Sequence, residues 1–197
     1  MPRVPLVDSD TLPDSYDILA KKAGKLPDSV DAVFWNRQPT VRAFSNNPEL
    51  GKAHVTMNSF LWAETDLSAA EEECIILTVA RQLDCRLLWH DHVMLAIENE
   101  RLSRSDILDI SHGEVEDLDG SLGTVAEYVS QYIANHGNVN DATHESISEN
   151  NSDSTVISIV KLIGFYTALS HEVNALQLDR DPFVGWDIEN YNEAEPP

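Results

Sequence analysis

Between Pro48 and Pro182 the chain has no proline, and its apolar residues fall in stretches too long for strands. Helix starts stand beside these stretches. Asn47-Pro48 offers an N-cap followed by proline in the first turn, and predicts a helix through Trp62 that buries Val55, Phe60, Leu61 and Trp62. Ser68-x-x-Glu71 is a capping box ahead of AEEECIILTVARQL. Asp84 is placed to cap a helix from Cys85 to about Asn99, and Ser103-x-x-Asp106 resembles a second box that opens a short helix through Ile110. Thr124-x-x-Glu127 predicts the start of VAEYVSQYIANH, with Gly137 as its C′ residue. NVNDATHESISENNSDS is polar and turn-rich, a surface excursion with at most one short helix. TVISIVKLIGFYTALSHEVNAL is apolar on more than one side, so a central helix is expected there. Its β-branched run (Val156, Ile157, Ile159, Val160) lowers helix propensity, but length and missing breakers still favour helix.

These elements predict an all-α protein, a helical bundle. Residues 1–50 are punctuated by proline, with short helices expected in DSYDILAKKAG and SVDAVFWN; residues 51–178 form the helical core, and 179–197 an irregular tail. No strand and no internal repeat stands out. The whole, residues 1–197, is expected to be one domain.

Composition narrows the partners. Hydrophobic content is 42%, enough for a packed core, while 34 acidic against 13 basic residues give a net charge of −21. Such a surface repels nucleic acid and anionic membranes, so neither is expected as a partner. Adaptation to high salt is one explanation for the acidity, and an ordinary acidic cytosolic protein is the other. Two cysteines, Cys74 and Cys85, are too few for a disulfide framework. MPRVPLVDSDTLP lacks the apolar segment of a signal peptide, and no run reaches the length of a membrane span; a soluble, cytoplasmic protein is expected.

Chemistry concentrates in CRLLWHDHVMLA, residues 85–96. Its H-x-H pair suggests a metal, but on a helix His90 and His92 lie about 200° apart and do not converge. The metal spacing on a helix is i,i+3 or i,i+4, so no metal is expected. Cys85 and His92 are seven apart and share a stripe with Leu88, Trp89, Leu95 and Ala96. They are expected to face a core or pocket, with His90 mostly towards water. A plain reading is available: a buried thiol and a core histidine held by one partner. Glu71 and Glu72 are adequately explained as first-turn charges favoured by the helix dipole. Glu73 is different. A tight Leu83-Asp84 corner would fold its helix back on the next one and let Glu73 approach His92, and a buried carboxylate needs such a partner.

The stretch LSAAEEECIILTVARQLDCRLLWHDHVMLAIENERLSRSDI resembles the core of the carboxymuconolactone decarboxylase and alkylhydroperoxidase-D-like family. Leu67-Ser68, Glu73, Ile76-Leu77, Val79-Ala80, Trp89, His92, Ala96, Leu102-Ser103 and Ile107 fall in its register. VPLVDSDTLPDSYDIL, NNPEL and a late helix ending near Asn174 resemble the flanks of longer members, so the likeness spans most of the chain. It implies a bundle of the alkylhydroperoxidase-D-like type, with a central helical hairpin carrying the motif. It also implies a homo-oligomer, a trimer or a trimer of dimers. Redox members carry Cys-x-x-Cys-x-x-x-His; here the second cysteine is Leu88, and Cys74 lies about three turns before the corner, so a disulfide-cycling peroxidase is not expected. Decarboxylating members carry Tyr and Glu where Leu87 and Leu88 stand, and glycine where Arg101 stands.

The resemblance therefore implies a carboxy-lyase that works by acid–base chemistry on a small carboxylated lactone or related acid, with no metal or organic cofactor. His92 is its expected acid or base, Glu73 the group that orients it, and Cys85 a further member of the site; Trp89 and Leu88 would bind the substrate. Two alternatives stay open: a non-catalytic homologue whose Glu73–His92 pair is a structural link, and a single-cysteine thiol or redox protein using Cys85.

Overall fold

A computed structural model describes residues 1–12 and 38–178. The short helices expected in DSYDILAKKAG and SVDAVFWN, and the tail from 179, lie outside the described residues. Among the described residues there are eight α-helices, two short 3-10 turns and no strand, so the all-α class stands. The chain was expected to be one domain. It builds two compact units, one from Met1–Thr65 with the end of the last helix from Val173, the other from Asp66–Glu172.

In the first unit, α1 (Pro39–Phe44) and α2 (Pro48–Glu64) pack together. The Asn47 side chain caps α2 through the Leu50 N–H. The extended N-terminal segment is tied down by backbone: Val7 N–H donates to Arg42 O, and the Arg42 side chain donates back to Val7 O at 2.8 Å. Val41, Val55 and Leu12 form a small core under this segment, with Val7 packed against it. Val55, Leu61 and Trp62 are buried as expected, but Phe60 is 47% exposed. It stands two residues before Trp62, about 200° round the helix from the buried face.

The second unit is built around α3 (Ala69–Gln82), in which every residue from Glu72 to Ala80 is buried. Such burial on all sides follows from its neighbours: α4 (Arg86–Glu98), α5 (Arg104–His112) and α6 (Gly120–Ala134) all pack on it. Side chains on α3 fasten them. Arg81 Nε donates to Ser111 O at 2.6 Å, Gln82 to Ser130 Oγ at 2.6 Å, and the Cys74 thiol points to Leu122 O. Both capping boxes read from the sequence are present, at Ser68/Glu71 and Ser103/Asp106. The helix expected from Thr124 begins earlier, at Gly120 behind Asp119; Thr124 is inside it, its hydroxyl donating to Gly120 O. Asn140 caps the short α7 (Asp141–Ser148), the one helix of the polar excursion.

The last helix, α8 (Asp153–Leu176), contributes to both units. Thr155, Ile159, Leu162, Ile163, Tyr166, Leu169, Ser170 and Val173 are buried at the i,i+3,i+4 spacing of a helix packed on a protein core. In length and composition alone this helix is also long and apolar enough to cross a membrane, which corrects the expectation that no run is. That test does not separate a span from a core helix, and 39% of the apolar window is buried in the protein.

Candidate functional site

The hairpin of α3 and α4 turns through a Schellman corner. Asp84 was expected to cap α4; instead it takes the left-handed conformation (φ 51°) that ends α3, and Cys85 N–H closes the turn on Ala80 O at 2.8 Å. Cys85 becomes the N-cap residue of α4, with ψ 86° and no side-chain cap bond. It stands one residue outside the helix, so its seven-residue spacing from His92 does not by itself put its thiol on the stripe of His92.

Nearly all of the first two turns of α4 is buried: Leu87, Leu88, Trp89, His90, His92 and Val93. This corrects the expectation that His90 faces water, since only 5% of it is exposed. An amphipathic reading supposes one core face, whereas this helix is enclosed on several sides. Leu88 and Trp89 are buried close to the histidine in sequence, as apolar wall residues must be. Among the described residues no group of three or more His, Cys, Asp or Glu side chains could hold a metal ion.

Glu73 and His92 meet. Glu73 is completely buried, and its Oε2 lies 2.8 Å from His92 Nδ1. A carboxylate oxygen accepts, so at this distance the ring bonds to Glu73 as the tautomer with its hydrogen on Nδ1. That fixes the ring's tautomer and leaves Nε2 with the lone pair when the imidazole is neutral. The edge of the ring geometry is set from α8 as well: Tyr166, itself buried, meets His92 in a T-shaped contact at 5.4 Å between centroids. The side chain of His92 keeps 9% exposure, the surface-facing end of an otherwise enclosed pair.

The other oxygen of Glu73 is held by a residue that sequence reasoning recorded only as a departure. Arg101 Nη1 donates to Glu73 Oε1 at 2.9 Å, with the guanidinium side chain only 6% exposed. The signal was available: a buried carboxylate has two oxygens to satisfy, and a histidine satisfies one. Tyr166 could not have been found this way, since it comes from 74 residues beyond His92, on a helix whose docking no local pattern specifies.

The two cysteines differ from reactive thiols. Neither is in a disulfide, and both are buried with zero exposure. Burial pushes the Cys74 thiol up to about 12, against its hydrogen bond from Thr78, with Asp106 and Glu71 adding to the rise. Such a group stays protonated and poorly nucleophilic. Glu72, read as a first-turn charge, is also buried, with 1% exposure. No family model, no curated protein and no solved structure matches the chain.

Proposed function

We propose that the chain is a cofactor-independent acid–base enzyme, a carboxy-lyase of the carboxymuconolactone decarboxylase type acting on a small carboxylated lactone or related organic acid. One observation carries this reading: the wholly buried Glu73 holds His92 by Nδ1 at 2.8 Å. Loss of carbon dioxide leaves a dienolate that must receive a proton at carbon. An imidazole that donates from Nδ1 to a carboxylate has Nε2 as its atom for that transfer, and needs no metal for the role. Leu88 and Trp89 supply apolar walls that exclude water from the developing charge.

Turnover is measured as carbon dioxide released from a carboxylated enol-lactone. His92→Asn is expected to lose about 100-fold or more, the usual size of a general acid–base contribution. Glu73→Gln is expected to lose less, because the amide can still accept from Nδ1. Cys85→Ala is expected to retain activity. Loss on Cys85→Ala comparable to that on His92→Asn would turn the reading to thiol chemistry.

A second reading has its own support. Both oxygens of Glu73 are satisfied, by His92 and by Arg101, so the trio is also a complete buried tie between α3, α4 and the turn after it. A parent protein that releases no carbon dioxide from any such acid, yet is destabilised by His92→Asn, favours this structural role.

A further inference from the structure

Among the described residues, three of the large hydrophobic side chains that stand exposed belong to one helix, α2 of the first unit: Leu50 (64%), Met57 (51%) and Phe60 (47%). At 100° per residue they lie, with the exposed Ala53, within an arc of about 80°. The buried residues Val55 and Trp62 point nearly the opposite way. A helix that is apolar on two opposite faces has two surfaces to cover, and the core of its own unit covers one. Along the exposed face Glu49, Lys52, Ala53, Thr56, Met57 and Phe60 line a shallow groove.

Charge says what fits there. The chain carries a net −21, so two copies repel over most of their surface. From Gly51 to Ala63 the sequence holds no Asp or Glu, and its one Lys or Arg is Lys52. This face is therefore where two copies meet with least repulsion. It is also complementary to itself when the copies run antiparallel. Glu64 is the exposed last residue of α2, at the end where the helix dipole disfavours an acid. A two-fold axis at the height of residue 58 sets Lys52 of each copy level with Glu64 of the other, about 9 Å either side of the axis. Met57 and Phe60 of the two copies then cross at the centre, and the small Ala53 lets the helices approach. Glu49 lies a further turn out, past the end of the facing helix.

We propose that the exposed face of α2 is a self-association surface on which a second copy of this chain docks antiparallel, Met57 and Phe60 at its centre and Lys52 beside Glu64 of the other copy. The proposal is independent of the acid–base reading of the Glu73–His92 pair. The three large side chains expose on the order of 300 Å², the size at which an apolar patch begins to mark a contact site. A stable dimer buries about 800 Å² on each partner, so one helix face supports a weak dimer, with a Kd on the order of 10–100 µM.

Sedimentation equilibrium of the whole chain, loaded from about 5 to 500 µM in about 0.15 M salt, reads this directly. The mass is expected to rise from that of one chain to that of two. Met57→Glu with Phe60→Glu puts four like charges at the centre of the pair and is expected to weaken association at least about tenfold. Circular dichroism and the urea midpoint check that this variant folds, and both positions are exposed in the single chain. Lys52→Glu is expected to weaken association about threefold or more, and Lys52→Glu with Glu64→Lys to restore it. The charge swap leaves the apolar stripe intact, so it decides the matter even where the double glutamate variant fails to fold. A mass of one chain at every concentration overturns the proposal; a segment of the same chain or a different protein on the stripe gives that result. An oligomer that forms equally well in the double glutamate variant overturns it too, since another face then holds the copies. A charge swap that associates no better than Lys52→Glu alone overturns the antiparallel pairing.

Discussion

At the scale of the residue, the chemistry of this protein depends on which groups are allowed to be charged. Glu73 is buried with a partner on each carboxylate oxygen, whereas burial pushes the Cys74 thiol up to about 12 in spite of its Thr78 hydrogen bond, so Cys74 remains a thiol. Cys85 is equally enclosed at the corner of the hairpin. Neither thiol is therefore expected to react with a disulfide reagent such as DTNB in the native protein at pH 8, and both should react once the chain is unfolded in urea. Rapid stoichiometric labelling of one thiol in the native state would revive the single-cysteine alternative. His90 is a warning about local reading: it is adjacent to the site in sequence, and its burial comes from packing that the α4 pattern does not encode.

At the scale of the element, the helix ends do most of the positioning. The corner at Asp84 sets α3 against α4 and brings Glu73 to His92; the corner at Glu100 brings Arg101 to Glu73. In both, a non-glycine residue adopts a positive φ, a conformation that local sequence rarely announces. The same one-residue shift occurs after α6, where His136 takes the left-handed position ascribed to Gly137, and Gly137 N–H bonds Tyr132 O at 2.7 Å. Gly123 marks a different constraint. A Cβ there would stand 2.5 Å from the Leu118 carbonyl oxygen, in the backbone just ahead of α6. Gly123→Ala is expected to cost about 1–3 kcal/mol through forced backbone movement, although alanine is the better helix former. Urea denaturation measures this; a stabilised variant would mean that the chain before α6 gives way freely.

At the scale of the molecule, stability should depend on pH through His54 of the first unit. Burial beside the Phe44 ring holds this histidine down at about 4, below its ordinary 6.5. Above pH 6.5 it is neutral whether the unit is folded or not, and its full contribution is present. Between 6.5 and about 4 the unfolded chain takes up a proton that the folded one refuses, so stability falls by on the order of 2–3 kcal/mol. Below about 4 both states are protonated and His54 adds no further loss. His54→Phe should flatten this part of the stability profile, as read from urea midpoints at pH 4.5 and 7. An undiminished slope in the variant would assign the pH dependence to other groups.

The sequence by itself determined the helical class, the capping boxes at Ser68 and Ser103, and the candidacy of Glu73 and His92. Each depends on contacts within a few residues or on a fixed spacing, and those survive in a one-dimensional pattern. Tertiary structure decided what the pattern could not: that Phe60 stays exposed while His90 is buried, that Cys85 sits outside its helix, and that Arg101 completes the carboxylate. These outcomes depend on which faces of a helix other helices cover, and on where a left-handed corner sends the chain. A carboxylate buried at zero exposure has to collect its donors wherever the fold brings them, here 19 and 28 residues away.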